Sequence, residues 1–381
     1  MPVRLLDRYI IRHFLEAYFY CVAGFLSIWL IFDISDNINT FLDRQFGFGH
    51  TIEFYLTQLP QVLVILLPVS LLLALLFSLG RMSRTNEIVS TMAAGVSIPR
   101  MLLPLVIIGL LTTFVAMAFN YSAVPHAELA RRNYLSNTGS VGASRIRGQI
   151  FRNRTDARTW FIQDFVSGDT VFNNVQILQQ DAHDNIVTNY LAQRAVYLPQ
   201  IKSWQLQQVK IVNYDSSGNI LRSEILPELT IDTWSETPFR LGSANMDAEF
   251  MSFPELREYL HYNADFPPSL LAPFSTHLQY RLALPWTCLV VVLIATPLGI
   301  GFSRRGVLSS VAIAIVCVFS MNFLNHLFLA LGEGYRIPAW VAAWTPNALF
   351  GAIGLYLIFL RATNRELWPF HALRGRRIVP R

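Results

Sequence analysis

Leu79-Gly80-Arg81-Met82-Ser83-Arg84-Thr85-Asn86-Glu87-Ile88-Val89-Ser90-Thr91-Met92-Ala93-Ala94-Gly95-Val96-Ser97-Ile98-Pro99-Arg100 is the stretch that decides how the chain is laid out. It carries three arginines and a single acid, and it lies between two strongly apolar runs. Thr85 is suited to cap a helix N-terminus. Glu87 falls in the first turn, where a negative charge favours the helix dipole, and Gly95 is a natural stop. These signals predict a helix of roughly three turns with Ile88, Met92 and Val89 along its apolar side. A helix so short and polar cannot cross a bilayer. The residues alone leave two readings: a cytoplasmic helix offered to a partner, or a basic loop resting on the lipid surface.

The flanking runs set the class. Of 381 residues 53% are hydrophobic and only 14% are charged, where a soluble domain carries roughly 25%. The chain therefore reads as a membrane protein. Its net charge is +5, and nearly all the positive charge is arginine, since Lys202 and Lys210 are the only lysines. Cys21, Cys288 and Cys317 lie far apart in apolar runs, so no disulfide framework is expected. The apolar run after Arg12 is long and lacks a small-residue cleavage site, and so reads as a retained anchor.

Upstream of the opening stretch, Arg4, Arg8 and Arg12 beside Leu5, Leu6, Tyr9 and Ile10 predict an interfacial lead-in. Ala17 to Phe32 predicts the first membrane helix, ended by Asp33 and Asp36. Leu59 to Leu79 predicts the second, with Pro60 and Pro68 inside it, and Met101 to Phe119 the third. No run from Asn120 to Thr276 could cross a bilayer. Instead, six strand-like segments alternate with turn clusters: Gly148 to Arg152, Thr159 to Phe165, Val171 to Leu178, Ile186 to Tyr197, Trp204 to Tyr214 and Ile220 to Leu229. Their even spacing predicts a sandwich or jelly roll. Ser252, Pro254 and Glu255 then predict the start of a short helix. Leu282 to Phe302, Val307 to Leu331 and Trp340 to Leu360 predict the last three spans. The expected fold is an α-helical membrane protein with six transmembrane helices and an inserted all-β, jellyroll-like extracytoplasmic domain. Its parts are residues 1–120 with the short helix at 81–95, residues 121–276, and residues 277–381.

Arginine asymmetry orients the chain. The N-terminus, the 80–100 stretch, the Arg304-Arg305 loop and the tail (Arg361, Arg365, Arg374, Arg376, Arg377, Arg381) are arginine-rich. The loop after the first span has Arg44 against Asp33, Asp36, Asp43 and Glu53, and the loop after the fifth has only Arg336. Both termini are expected in the cytoplasm and the β-domain outside it.

Chemistry is sparse. A phosphate-binding loop ends in Gly-Lys-Ser/Thr, but Lys202 follows Ile201 and Lys210 follows Val209. ATP hydrolysis is therefore assigned to another chain. No catalytic residue, no metal site and no cofactor is expected, and nothing suggests a nucleic acid. Asn322, Asn325 and His326 share one face of the fifth span, to line a substrate path or to hydrogen-bond between helices. The predicted second to sixth spans hold no carboxylate, which disfavours a proton-driven carrier.

The chain resembles the LptF/LptG permeases that export lipopolysaccharide. The likeness runs through Leu6-Asp7-Arg8-Tyr9-Ile10, Pro60 and Pro68, and Gly80-Arg81 … Asn86-Glu87-Ile88 … Ala94-Gly95 … Arg100. After the β-insert it continues through Met251-Ser252 … Glu255-Leu256, Tyr280-Arg281-Leu282-Ala283-Leu284-Pro285, Pro297-Leu298-Gly299, Gly334 … Ile337-Pro338 and Trp344-Thr345-Pro346-Asn347. The resemblance implies an inner-membrane heterodimer with a paralogous permease, bound to two copies of the cytosolic ATPase LptB. It implies a cavity that takes lipopolysaccharide from the membrane, and a β-domain that passes it to a periplasmic bridge protein such as LptC or LptA.

It also implies that the 81–95 helix couples to the ATPase through Arg84, Asn86, Glu87 and Ile88, with Glu87 matching the family's acidic contact. A cavity for a phosphorylated lipid needs apolar walls and outer cations. Phe25, Leu66, Val291 and Phe323 are wall candidates, and Arg44 and Arg281 are cation candidates. Ile162, Val175, Ile177, Leu206 and Ile211 of the β-domain are candidates to shield acyl chains, or simply to pack its core. Some LptG members carry a lysine near the outer end of the first span, where this chain has Asp33 and Asp36. The N-terminal Leu-Asp-Arg-Tyr run leans toward LptG. The alternative is a membrane-anchored lipid-binding or scaffold protein not coupled to ATP.

Overall fold

A computed structural model describes residues 5–43, 47–135, 145–153, 155–166, 169–181, 183, 185–215, 217–243, 246–300 and 304–363. Arg4, Arg44, Arg154 and the tail arginines beyond Arg361 lie outside them. Contacts divide the chain into a unit of residues 1–124 with 276–381 and a unit of residues 125–275.

The first unit holds most of six helices long and apolar enough to cross a membrane. Helix α1 (Leu5–Asp43) is one uninterrupted helix. The expected break between an interfacial lead-in and a span is absent, and Asp33 and Asp36 do not end the helix. A carboxylate does not break a helix if it reaches water or a partner. Asp33 is buried and accepts from Asn37 Nδ2 at 3.1 Å, whereas Asp36 is exposed. Helix α2 (Phe48–Arg84) runs through both prolines and begins well before Leu59. A seven-residue helix, α3 (Glu87–Ala93), precedes α4 (Ile98–Ala118). A π-helical turn, Phe119–Ala123, then leads into α5 (Val124–Leu135), for which no signal was read in the sequence.

After the β-unit, α8 (Pro268–Ala283), a 3₁₀ turn at Leu284–Trp286 and α9 (Thr287–Gly299) form the fourth span. It starts at Pro268, not at Leu282, because the polar residues of α8 are matched by neighbours and hydropathy alone cannot see that. His277 Nε2 lies 2.6 Å from Glu333 Oε1, and Trp344 Nε1 donates to Gln279 Oε1 at 3.4 Å. Pro285 explains the 3₁₀ turn, since it lacks the N–H that a continuous helix needs. Helices α10 (Arg304–Glu333) and α11 (Ala339–Ala362) complete the set.

Helices α2 and α9 form the centre. Val291, Val292, Ile294 and Ala295 of α9 are fully enclosed and meet Leu71, Leu75 and Leu79 of α2 in one apolar cluster. Small residues let backbones approach in a lipid environment, where packing rather than hydrophobicity drives association. Gly354 of α11 faces backbone, which cannot swing aside. A Cβ there would stand 2.8 Å from Leu293 Cβ and 2.9 Å from the Leu293 backbone carbon. Gly354→Ala is expected to destabilise the helical unit by about 1–3 kcal/mol. A thermal midpoint in detergent equal to wild type would contradict that.

In the second unit, β1 (Arg145–Asn153), β2 (Arg158–Val166), β3 (Val171–Gln180), β4 (Ile186–Leu198), β5 (Ser203–Tyr214) and β6 (Ile220–Ile231) match the six predicted segments. All neighbours pair antiparallel in chain order, so they form a single six-stranded meander. Two of its turns repeat one device. Asp181 caps the β3–β4 turn and Asp215 the β5–β6 turn. Backbone amides, those of Asn185 and Asn219 foremost, hold both carboxyls below the usual carboxylate range.

Ile162, Val175, Ile177 and Leu206 are buried with Trp160, Trp204 and Phe172, and Ile211 packs at the margin. Their surroundings are those of ordinary core packing. The segment after β6 closes this core with Trp234, Glu236 and α6 (Pro238–Gly242). Helix α7 (Phe253–Tyr262) starts at Ser252 in a full capping box with Glu255, as its sequence predicts.

Candidate functional site

The segment joining α2 to α4 is built from local rules. Helix α2 ends when Thr85 turns its amide to Arg81 O at 3.0 Å. Asn86 then takes a left-handed backbone, φ 59°, which asparagine tolerates better than most residues. Asn86, not Thr85, is therefore the N-cap residue of α3. Thr85 serves differently, because its hydroxyl donates to Glu87 Oε1 at 2.8 Å. The helix has about two turns, fewer than predicted. It ends as expected: Gly95 adopts φ +84°, with its amide on Met92 O at 2.9 Å and that of Val96 on Thr91 O at 3.3 Å.

Two faces result. Ile88 is fully buried in the core of the helical unit, and Met92 packs against the same cluster. Val89, expected on that side, is half exposed at 50%. Arg84, Asn86, Val89, Ser90, Ala93 and Ala94 form an open face of one cation, short polar groups and small side chains. Among the described residues neither Arg84 nor Arg81 forms an ion pair within the chain.

Helix α1 reaches this segment twice. The Tyr9 hydroxyl donates to Glu87 Oε2 at 3.1 Å, and Arg100 Nη2 donates to Asp7 Oδ2 at 2.8 Å. A cavity of about 270 Å³ lies beside the first contact, lined by Tyr9, His13, Glu16, Phe77, Arg81 and Glu87. The sequence marks Asp7 and Tyr9 as part of the N-terminal motif but not as partners of this segment. They lie 93 and 78 residues from their partners, and no local periodicity carries that information.

The remaining candidates are dispersed. Arg281 is 8% exposed and turned into the helical unit. Its Nη1 lies 3.4 Å from Asn120 Oδ1, and its carbonyl accepts from Asn120 Nδ2 at 2.7 Å. Asn120 is fully buried at the π-helical turn, a polar partner the sequence pattern does not reveal. Phe25 is half-buried on α1, Leu66 half-buried on α2, Val291 buried in α9, and Phe323 is 68% exposed on α10. Asn322, Asn325 and His326 do not act as one patch: Asn325 is buried, Asn322 bonds its own helix at Val318 O, and His326 is exposed. Among the described residues no three His, Cys, Asp or Glu side chains gather as a metal site would require.

Comparison with known proteins matches residues 8–359 to the family "Lipopolysaccharide export system permease LptF/LptG". The lipopolysaccharide export system permease protein LptG of Escherichia coli K12 is 23% identical over 366 residues, covering 95% of this chain and 99% of that protein. The LptG protein of Haemophilus influenzae is 22% identical over 360 residues, covering 91% and 96%.

Proposed function

Because the chain belongs to the LptF/LptG family of lipopolysaccharide export permeases, we propose that it is one permease subunit of an exporter driven by ATP hydrolysis in a separate chain. The observation that carries this reading is α3, a short polar helix with an open face between two long membrane helices. A chain without a phosphate-binding loop must receive its work from outside, and α3 is the element placed to receive it. Arg84, Asn86 and Glu87 are its polar contacts toward the ATPase LptB, while Ile88 fixes it to the helical unit.

The arginine-rich side, which includes α3 and both termini, is assigned to the cytoplasm. The β-unit then stands in the periplasm, where it hands lipopolysaccharide to a bridge protein such as LptC or LptA. The second half of the cavity comes from a paralogous permease, this chain taking the LptG place. Phe25 and Phe323 are proposed as lipid-facing walls, and Arg44 and Arg281 as cations for lipid phosphates. Six spans, with α9 buried among α2, α4, α10 and α11, exceed what anchoring a lipid-binding scaffold requires, which favours a transport role.

Mild-detergent purification with identification of the companions tests this reading. The expected companions are a cytosolic ATPase and a second permease of the same family. A chain that purifies alone, or only with copies of itself, would contradict it.

A further inference from the structure

We propose that the first two turns of α1 are the receiving arm of the α3 segment, clasped to α3 by Tyr9–Glu87 and to the start of α4 by Asp7–Arg100. The inference rests on the reading of α3 as the ATPase contact and adds the route by which its displacement leaves α3.

Helix α3 is only seven residues long, and left-handed residues at Asn86 and Gly95 flank it. Ile88 is its one buried residue. With so little apolar hold, the position of α3 is set largely at its ends. The first residue of α3 and the first turn of α4, which follows it, are tied to the same stretch of α1. Glu87, the first residue of α3, accepts from Tyr9. Arg100, in the first turn of α4, holds Asp7, and this pair is partly withdrawn from solvent at 35% and 14% exposure. Withdrawal strengthens a charge-assisted bond relative to an open surface pair. Tyr9 and Asp7 are two residues apart, so both clasps close on the start of one helix. Ile10 and Phe14 lie just beyond them, fully buried in the cluster that contains Ile88, Met82 and Ile98.

The apolar middle of α1 is lightly held by its own chain, while its far end packs Phe41 against Phe54 and Tyr55 of α2. In its most apolar window 11% of residues are buried, against 61% in α2 and 72% in the fourth span. Force on α3 passes through the backbone to α2 and α4, which are packed into the unit. Through the clasps it passes to α1, the span least fixed by packing. A helix held at its ends and lightly between them shifts its middle with the end that is clasped. Glu87 is the shared group: its carboxylate accepts from Thr85 and Tyr9, and a cationic donor from the ATPase would draw the same carboxylate and weaken its hold on Tyr9. That competition gives the two states a difference in contacts, which any coupling between sites requires.

The test uses the assembled exporter in lipid vesicles and reads three quantities: ATPase retained, ATP hydrolysed, and lipopolysaccharide delivered per ATP. Arg100→Asp and Asp7→Arg are each expected to retain the ATPase and its hydrolysis, while delivery per ATP falls about tenfold. The double variant with the charges exchanged is expected to recover most of that loss. Tyr9→Phe keeps the ring, removes only the hydroxyl, and is expected to lower delivery per ATP by a smaller factor. Unchanged delivery in the charge variants, or a loss the exchange does not recover, would overturn the proposal. Where the charge variants fail to accumulate, Tyr9→Phe decides alone, and wild-type delivery would overturn it. Absence of any ATPase from the unaltered complex would instead strike at the reading of α3 itself.

Discussion

Glu87→Arg is expected to strip the ATPase from the purified complex and to stop transport. Glu87 opens α3 and is the only acid in a stretch that also holds Arg81, Arg84 and Arg100. Its carboxylate accepts from Thr85 and Tyr9, so it is held at the edge of the open face. An arginine there cannot accept either bond. It also adds a third cation beside Arg81 and Arg84, and removes the favourable charge at the helix N-terminus. Reversing a charge at a desolvated contact costs about 2–5 kcal/mol of binding, enough to lose a companion during purification. Ile88 and Met92 stay in place, so the helical unit should keep its thermal midpoint. An ATPase recovered in wild-type proportion, with wild-type transport, would exclude Glu87 from the contact.

The second large effect lies in the β-unit. Glu236 is fully buried and Arg158 is 8% exposed, with Arg158 Nη1 2.6 Å from Glu236 Oε2. Asn153 Nδ2 donates to the other carboxylate oxygen at 2.9 Å, and the Trp204 indole donates to the Glu236 carbonyl at 2.8 Å. The guanidinium also stands 4.8 Å over the Trp234 ring. This cluster pins the segment after β6 onto the sheet. Glu236→Ala leaves the buried Arg158 only the longer contact to Asp156 at 3.7 Å and its bond to Gln179, and is expected to cost about 3 kcal/mol. Amide exchange in β2 and β5 should quicken by roughly a hundredfold or more. Glu236→Gln keeps the shape and an acceptor and should cost less. Exchange at the wild-type rate in Glu236→Ala would show that the segment is held by its apolar contacts alone.

Much of the architecture is legible in the sequence because its signals are local. Each strand from β1 to β6 carries its own alternation and its own turn, and each span its own apolar run. Where the structure departs from the pattern, a polar side chain has found a partner, near in the chain or far from it, that hydropathy does not show. Asp33 stays inside α1 because Asn37 answers it, and α8 begins early because Glu333 and Trp344 answer His277 and Gln279. Thr85 loses the cap to Asn86 because its hydroxyl has another task. In the α3 segment the residue types and Gly95 are readable in order along the chain. The ties to Tyr9 and Asp7 are not, since only the folded unit brings α1 beside α3. Arg281 is legible as a cation near a span end, but its burial against Asn120 depends on the π-helical turn, which no pattern in the sequence announces.

The most direct measurement is a photo-crosslinker placed at Val89, which is half exposed on the open face of α3 and makes none of the clasps. In intact cells one dominant adduct is expected, identified by mass spectrometry as a cytosolic ATPase and lost in Glu87→Arg. An adduct with lipid alone would contradict the role of α3, and one with a periplasmic protein would contradict the orientation of the chain as well.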